Sequence, residues 1–356
     1  MILYPTVKMA PFMSGTSTTG GAGGFGNAGS AAGLYEFTTY TFEETVAGRD
    51  GPTFSTLQSR YAGEPFLTSG RLVQGLHQGY HRLTLPYTGR YFFEAAGAPG
   101  TSPSYDTGLA RRGGRGAIAQ GEMDFEMGDE IQFTIGRTGE AHSYNGGGGG
   151  GTFVVKQAFC DTSSVDSNII LIAGGGAGGS YNVTSNDLSI RDASPFVSAN
   201  QPSGGSSRGD CGTGGNGGNG NGYSGGSGAA APAGGLYTAG TNFTYSSNAT
   251  VCQGWLQGAQ GGEGYYADGV SGGHDSGFGC AGGGGNHAGG PGGGYNGGAG
   301  GGGNGYSSSG GSTYRSNLIN AQGNGWREPD ALDKDGNSGY TRLNPIGGYL
   351  TITFVG

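Results

Sequence analysis

The chain has 356 residues, 87 of them glycine, with 12% charged and 33% hydrophobic residues and a formal net charge of -8. A glycine share near a quarter, against roughly 7% in ordinary chains, leaves apolar side chains for one modest core. Lysine occurs only at Lys8, Lys156 and Lys334, so the clustered cations that nucleic acid or an anionic membrane surface requires are excluded, and no apolar run reaches the roughly 18 residues that span a bilayer.

Residues 1–34 read as an extended anchoring arm that ends in GTSTTGGAGGFGNAGSAAG, small and polar enough to tether. The opening MILYPTVKMAPFMSG is apolar but is broken by Pro5, Lys8 and Pro11, so it does not read as a cleaved secretory signal. From Tyr35 to about Asn145 the pattern is that of strands. In HRLTLPYTG, Leu83 and Leu85 are in step, and in RYFFEAAG so are Tyr91, Phe93 and Ala95. In GEMDFEMGDEIQFTIG, Met123, Phe125 and Met127 alternate with Glu122, Asp124 and Glu126. After a Gly-Asp turn, Ile131, Phe133 and Ile135 alternate with polar partners, which predicts a hairpin with one wet face.

GTFVV and NIILIAG follow; Ile169 to Ile172 is apolar on both faces and is expected in the middle of the fold. Glycine tracts then dominate to about residue 312, and the chain closes with GGYLTITFVG, where Leu350, Ile352 and Phe354 face one way and Thr351 and Thr353 the other. With no capped helix of respectable length, the expected class is all-β: a sandwich over 35–173 plus 346–356, with 174–345 as a glycine-rich insertion held at both ends.

Residues 282–305, GGGGNHAGGPGGGYNGGAGGGGNG, cannot form a side-chain core. Collagen is excluded by irregular glycine spacing and only 13 prolines in the chain. A flexible linker is the bland reading. The favoured one is a bundle of polyproline-II-like helices, whose amides bond laterally because only glycine lets backbones approach so closely. Phe278, Tyr295, Tyr306 and Tyr314 punctuate the tracts like lids. Ala288, Ala299, Asn286, Tyr295 and Asn304 are expected at outward or end positions, and Gly293 and Gly302 inward.

The strings FEMGDEIQFTIGRTGE, GGGGGGTFVV, NIILIAGGGAGG, GFGCAGGGG, GGGYNGGAGGGG and GGYLTITFV occur in that order. This succession, over roughly residues 80–355 and most specifically from Phe125 to Gly179, resembles the extracellular glycine-rich domain of the anaplastic lymphoma kinase and leukocyte tyrosine kinase receptors. The resemblance implies a jelly-roll sandwich like that of tumour necrosis factor carrying an inserted bundle of glycine helices. It does not extend to a kinase, to a transmembrane helix or to the arm at 1–34, so the receptor function is not carried over. The glycine tracts alone are more loosely similar to receptor-binding adhesins of phage tail fibres.

No nucleophile, base and orienting group assemble from these residues, so no catalytic or cofactor residues are expected and the chain reads as a non-enzyme. His274, Cys280, His287 and Cys252 match no usual zinc spacing. Asp333, Asp335 and Asn337 alternate like the start of a calcium loop, but position twelve is Asn344, so a solvated turn is the competing reading. Arg208-Gly209-Asp210 is a motif without context. Cys160, Cys211, Cys252 and Cys280 allow three pairings, and two disulfides are expected in an oxidising space, with small buried thiols as the alternative.

Sequons at Asn182, Asn242 and Asn248 have the same extracellular flavour. The expected function is a structural or adhesive protein exposed on a large assembly: a virion fibre, spike or minor capsid protein, homo-oligomeric and joined to other subunits through 1–34. The insertion loops at 181–201 and 236–251 are then available to a host-surface protein or glycan. The alternative is a soluble extracellular ligand-binding module of the receptor type.

Overall fold

The computed structural model describes residues 33–103, 112–142, 145–156, 166–180, 188–199, 209–219, 230–241, 252–264, 275–285, 288–301, 308–327, 332–335, 339–342 and 347–356. Among them the strands β1 (Thr39–Glu43), β2 (Leu72–Gln74), β3 (His81–Thr84), β4 (Gly89–Ala96), β5 (Gly116–Phe125), β6 (Glu130–Thr134), β7 (Thr152–Lys156), β8 (Ile169–Ala173), β9 (Ile319–Arg327) and β12 (Tyr349–Phe354) form two antiparallel five-stranded sheets. Their orders are β1-β12-β4-β5-β9 and β2-β3-β6-β7-β8. A separate hairpin joins β10 (Leu332–Asp335) and β11 (Gly339–Arg342). The fold is therefore an all-β sandwich, as the strand patterns lead one to expect.

Period-two alternation decides which side of each strand faces the interior. Tyr91, Phe93 and Ala95 of β4 and Leu350 and Ile352 of β12 are fully buried, whereas Thr351 and Thr353 face outward. On that outer face they bond through their hydroxyls at 2.8 Å to Thr41 and Thr39 of β1, the end strand of the sheet. Thr53 caps the seven-residue helix α1 (Phe54–Arg60) by accepting from the Thr56 amide at 3.3 Å. α1 presents Leu57 to the core, and the one-turn α2 (Pro65–Thr68) presents Phe66.

One expected pairing is corrected. β5 and β6 do not form a hairpin: β5 pairs with β4 and β9, and β6 pairs with β3 and β7. The turn between them crosses from one sheet to the other. It is tightened by Gly128 at φ 96 and by the Asp129 carboxylate, which accepts from the Glu126 amide at 2.8 Å. Each strand keeps its alternation because both turn their apolar sides to the shared interior. The first sheet also takes in β9, which lies inside the span that the sequence reading assigned to the insertion.

The second sheet is a middle layer. Its inner side contributes Leu83, Ile131, Phe133, Val154, Ile170 and Leu171 to the sandwich core. Its other side, through Tyr80, Phe153, Val155, Ile169 and Ile172, packs against Leu236, Trp255, Phe278, Tyr295 and Tyr314 of the glycine region. That is why Ile169 to Ile172 is apolar on both faces and wholly buried although β8 ends the sheet order. Backbone bonds between Ile172 and Tyr314 at 2.8 and 2.9 Å, and the Asn317 side-chain amide on the Ile169 carbonyl at 2.7 Å, cover the strand's free edge.

A glycine tract leads into β7 at 146–151 and another leaves β8 at 174–179, and the tracts bond to one another through the backbone. The amide of Gly149 donates to Gly176 at 2.8 Å, Gly175 donates to Gly293 at 2.8 Å, and Gly293 donates back to Gly149 at 3.1 Å. Three segments distant in sequence are thus joined in a closed ring. Further bonds attach Gly178 to Gly290, Gly151 to Gly279, Gly277 to Gly148 and Gly311 to Gly175. A Cβ built on Gly148, Gly149, Gly175, Gly176, Gly292 or Gly293 would lie well inside 3.0 Å of a neighbouring carbonyl oxygen. Absent side chains are what permit this spacing. Ala288 and Ala299 are completely buried and Tyr295 is 4% exposed, so the expectation that they mark outward positions is corrected. Tyr295 packs on Tyr314 at 4.7 Å in the second cluster. Asn286, Asn304, Tyr306 and Gly302 lie outside the described residues.

Candidate functional site

Where the glycine region meets the sandwich, a cleft of about 470 Å³ opens between three segments and is lined chiefly by Asp50, His77, Gln78, Gln253, Gln257 and Gln260. The first segment is held by a buried ion pair: Glu44, its side chain 1% exposed, accepts from Arg137 Nε at 3.0 Å, and Arg137 Nη1 donates to the Asp50 carbonyl at 2.8 Å. Gly48 and Phe278 fasten the same segment through bonds to Thr138 and Gly48 at 3.0 and 2.9 Å.

The second segment is the turn between β2 and β3. Gly79 takes φ 82, the Gly75 amide donates to the Tyr80 carbonyl at 2.8 Å, and the Leu76 amide donates to the Gln132 side chain at 3.1 Å. The third is the short 3-10 turn Trp255–Gln257. Its Trp255 is fully buried, donates from Nε1 to Thr134 Oγ1 at 3.1 Å, and accepts at its carbonyl from the Tyr80 hydroxyl. One indole therefore locks a glutamine-bearing segment of the insertion onto the middle sheet.

Within the cleft, Gln78 donates to the Gly51 carbonyl, Gln257 to the Tyr237 carbonyl and Gln260 to Asp50 Oδ1, each at 2.7 Å. His77 Nε2 lies 3.3 Å from the Leu256 carbonyl, so the proton sits on that nitrogen. A second depression, about 710 Å³ and wide open, lies over Arg90, Asp124, Phe125, Glu126 and Asp129. Its Arg90 is engaged by Asp124 at 2.9 Å in a solvent-exposed pair.

The residues singled out from sequence fall elsewhere. Cys211, Cys252 and Cys280 are buried and none of the three is joined to another by a disulfide, the arrangement that the alternative of small buried thiols describes; Cys160 lies outside the described residues. Cys211 Sγ is 3.1 Å from Ser309 Oγ, and Cys252 donates to the Pro232 carbonyl at 3.0 Å. Burial pushes the Cys252 thiol up to about 11 and, together with Cys252 nearby, raises Cys280 as well. Such thiols stay protonated and unreactive at neutral pH and pack as small apolar groups.

Asp333 and Asp335 lie on β10 opposite Thr341 and Gly339 of β11. Asn337, the sequons at Asn182, Asn242 and Asn248, Arg208, His274 and His287 lie outside the described residues. Among the described residues no three His, Cys, Asp or Glu side chains converge as a metal site. No described helix is long and apolar enough to cross a membrane.

The loop at 181–201 is only partly a surface loop. Ile190, Arg191, Asp192 and Ala193 are buried, with Asp192 gripping Arg115 at 2.7 Å, while Phe196 and Val197 are 67% and 42% exposed. Backbone bonds fix that exposed pair, since the Thr313 amide donates to the Phe196 carbonyl at 3.0 Å and the Asn296 side chain donates to Val197. Sequence reasoning missed the cleft. Its trace is QGWLQGAQ at 253–260, three glutamines around a tryptophan inside a glycine-rich stretch. Compared with models of known protein families and with curated proteins, the chain gives no match.

Proposed function

We propose that the protein is a non-enzymatic structural or adhesive subunit exposed on a large assembly, a virion surface fibre, spike or minor capsid protein. The arm at 1–34 joins it to other subunits, and several copies assemble together. The observation that supports this reading is the lateral backbone bonding of the glycine tracts, tied at both ends to the middle sheet. Such a lattice is stiff and nearly free of charge, and it holds connecting loops at fixed positions without a side-chain core. The jelly-roll relationship to the receptor glycine-rich domain, the polyproline-II geometry of the tracts and the virion or extracellular location belong to the same proposal.

Quantitative protein analysis of purified virions or filaments tests it. The chain should be present in stoichiometric amounts, and a version lacking residues 1–34 should fold but fail to incorporate. Particles that lack the chain, or that take up the truncated chain normally, overturn the reading. A second reading, a soluble ligand-binding module, is favoured by the rigidly held and exposed Phe196 and Val197, which suit a protein partner. A monodisperse monomer that binds one defined partner would select it.

A further inference from the structure

We infer that the cleft between Asp50, the β2–β3 turn and Trp255–Gln257 is a binding site for a neutral saccharide. The inference names a ligand class for the adhesive reading and rests on it.

The hydrogen-bonding groups of the cleft carry the argument. Gln78, Gln257 and Gln260 each commit one side-chain N–H to the protein at 2.7 Å, which fixes the direction of their amides and leaves each carbonyl oxygen and a second N–H for a ligand. The side-chain amide of Gln253 makes no hydrogen bond among the described residues and lines the opening with its full set of donors and acceptor. His77 is held at the cleft wall with its Nε2 3.3 Å from the Leu256 carbonyl, and Asp50 keeps a carboxylate oxygen free of Gln260. Adjacent hydroxyl groups, each a donor and an acceptor, match this array of fixed amides and one carboxylate.

Charge and apolar surface narrow the class. No lysine or arginine lines the cleft, and Arg49, next to Asp50 in the chain, pairs with Glu263 at 2.9 Å. The Asp50 carboxylate therefore disfavours sialylated, sulfated and phosphorylated ligands. Phe278 borders the cleft but is 1% exposed, so the apolar pocket that anchors a peptide side chain is missing. The volume of about 470 Å³ admits a short oligosaccharide. The protein groups are preorganised, because all three segments are pinned by Arg137, Gly79 and Trp255. Hydrogen bonds exchanged with water yield little net affinity one at a time, so a single cleft binds weakly and several copies on one assembly supply avidity.

The test is an array of neutral, sialylated and sulfated oligosaccharides probed with the full chain, biotinylated and displayed on streptavidin. Neutral glycans should be retained and anionic ones should not. Gln253→Ala and Asp50→Asn, both at partly or fully exposed positions, should each lower the apparent affinity for the best neutral glycan about tenfold, as the loss of one or two hydrogen bonds implies. Their melting temperatures should be unchanged. Retention of anionic glycans alone, no retention of any neutral glycan, or wild-type binding by both variants overturns the inference. A chain that incorporates into particles but binds no neutral glycan refutes only this site, whereas glycan binding without incorporation refutes only the assembly reading.

Discussion

Gly293→Ala is the most informative single change in the glycine region. The new methyl group would overlap the Gly279 carbonyl oxygen and lie 2.8 Å from the Cys280 carbonyl carbon and 3.0 Å from the Ala281 nitrogen, all of them backbone atoms that cannot swing aside. Overpacking of this kind costs roughly 1–3 kcal/mol. Moving Gly279 away strains its bond from the Gly151 amide at 2.8 Å, and moving Gly293 strains its bonds to Gly149 and Gly175 at 3.1 and 2.8 Å. A buried backbone group left unpaired adds roughly 1–3 kcal/mol. Alanine restricts the unfolded chain more than glycine does, which returns about 0.4–1 kcal/mol. The net expectation is a loss of about 1–5 kcal/mol, a drop in Tm of roughly 2–20 °C at ~2–4 °C per kcal/mol. Gly151→Ala is the control, because its methyl would meet the Phe153 ring at 3.0 Å, Gly294 Cα at 3.1 Å and the Ala173 carbonyl oxygen at 3.2 Å, none of them the overlap found at Gly293, and it should lose less than about 1 kcal/mol. Thermal and urea unfolding followed by near-ultraviolet circular dichroism measure both. Equal tolerance of the two substitutions would refute close contact between the tracts.

Phe133→Asp places a charge where a fully buried ring stacks on His81 with centroids 4.7 Å apart, so the sandwich should unfold at a cost of several kcal/mol, while Met127→Asp at the 44%-exposed turn should leave urea midpoints unchanged. His81 is buried among Phe42, Tyr61 and Phe133, and burial lowers its pKa from 6.5 to about 3. The unfolded chain therefore takes up a proton that the folded chain refuses: stability is fully present above pH 6.5 and declines toward pH 3, by about 2 kcal/mol at pH 5 and up to roughly 5 kcal/mol. Glu140 and Asp275, both raised by burial, act in the opposite direction, so the comparison of wild type with His81→Phe isolates the histidine; identical pH slopes in urea titrations would contradict its role. Trp255→Ala should cost roughly 3–5 kcal/mol and free the 252–264 segment to limited proteolysis, whereas Trp255→Phe, which loses the bond to Thr134 and part of the buried ring but keeps an aromatic anchor, should cost less and leave the segment uncut; an uncut Trp255→Ala protein would show that the anchor lies elsewhere.

Alternation made β4 and β12 legible, because one buried face leaves a period of two in the side chains. The same alternation left the partners of β5 and β6 undecided. A hairpin and a crossing between two facing sheets bury the same positions, and only long-range pairing distinguishes them. The continuous apolar run at Ile169 to Ile172 pointed to burial on both faces, but not to the aromatic cluster of the glycine region as the second cover. Gly293, expected inward, does lie against the Gly279 carbonyl, but in general inward and outward glycines could not be told apart, since a residue without a side chain records nothing of its surroundings. Ala288 and Ala299 among them are buried and do not mark the surface of the lattice. The cleft was hidden for a related reason: its glutamines come from segments about 175 residues apart, and polar residues at such a distance leave no local period.

The central claim, that the glycine tracts are a hydrogen-bonded lattice and not a linker, is tested most directly by amide hydrogen exchange resolved over 146–151, 174–178 and 288–294. Bonds such as Gly149 to Gly176, Gly175 to Gly293 and Gly293 to Gly149 predict amides that exchange only on global unfolding, at rates close to those of β4 and β7. Exchange of these glycine amides within seconds, while the strands remain protected, would contradict the account.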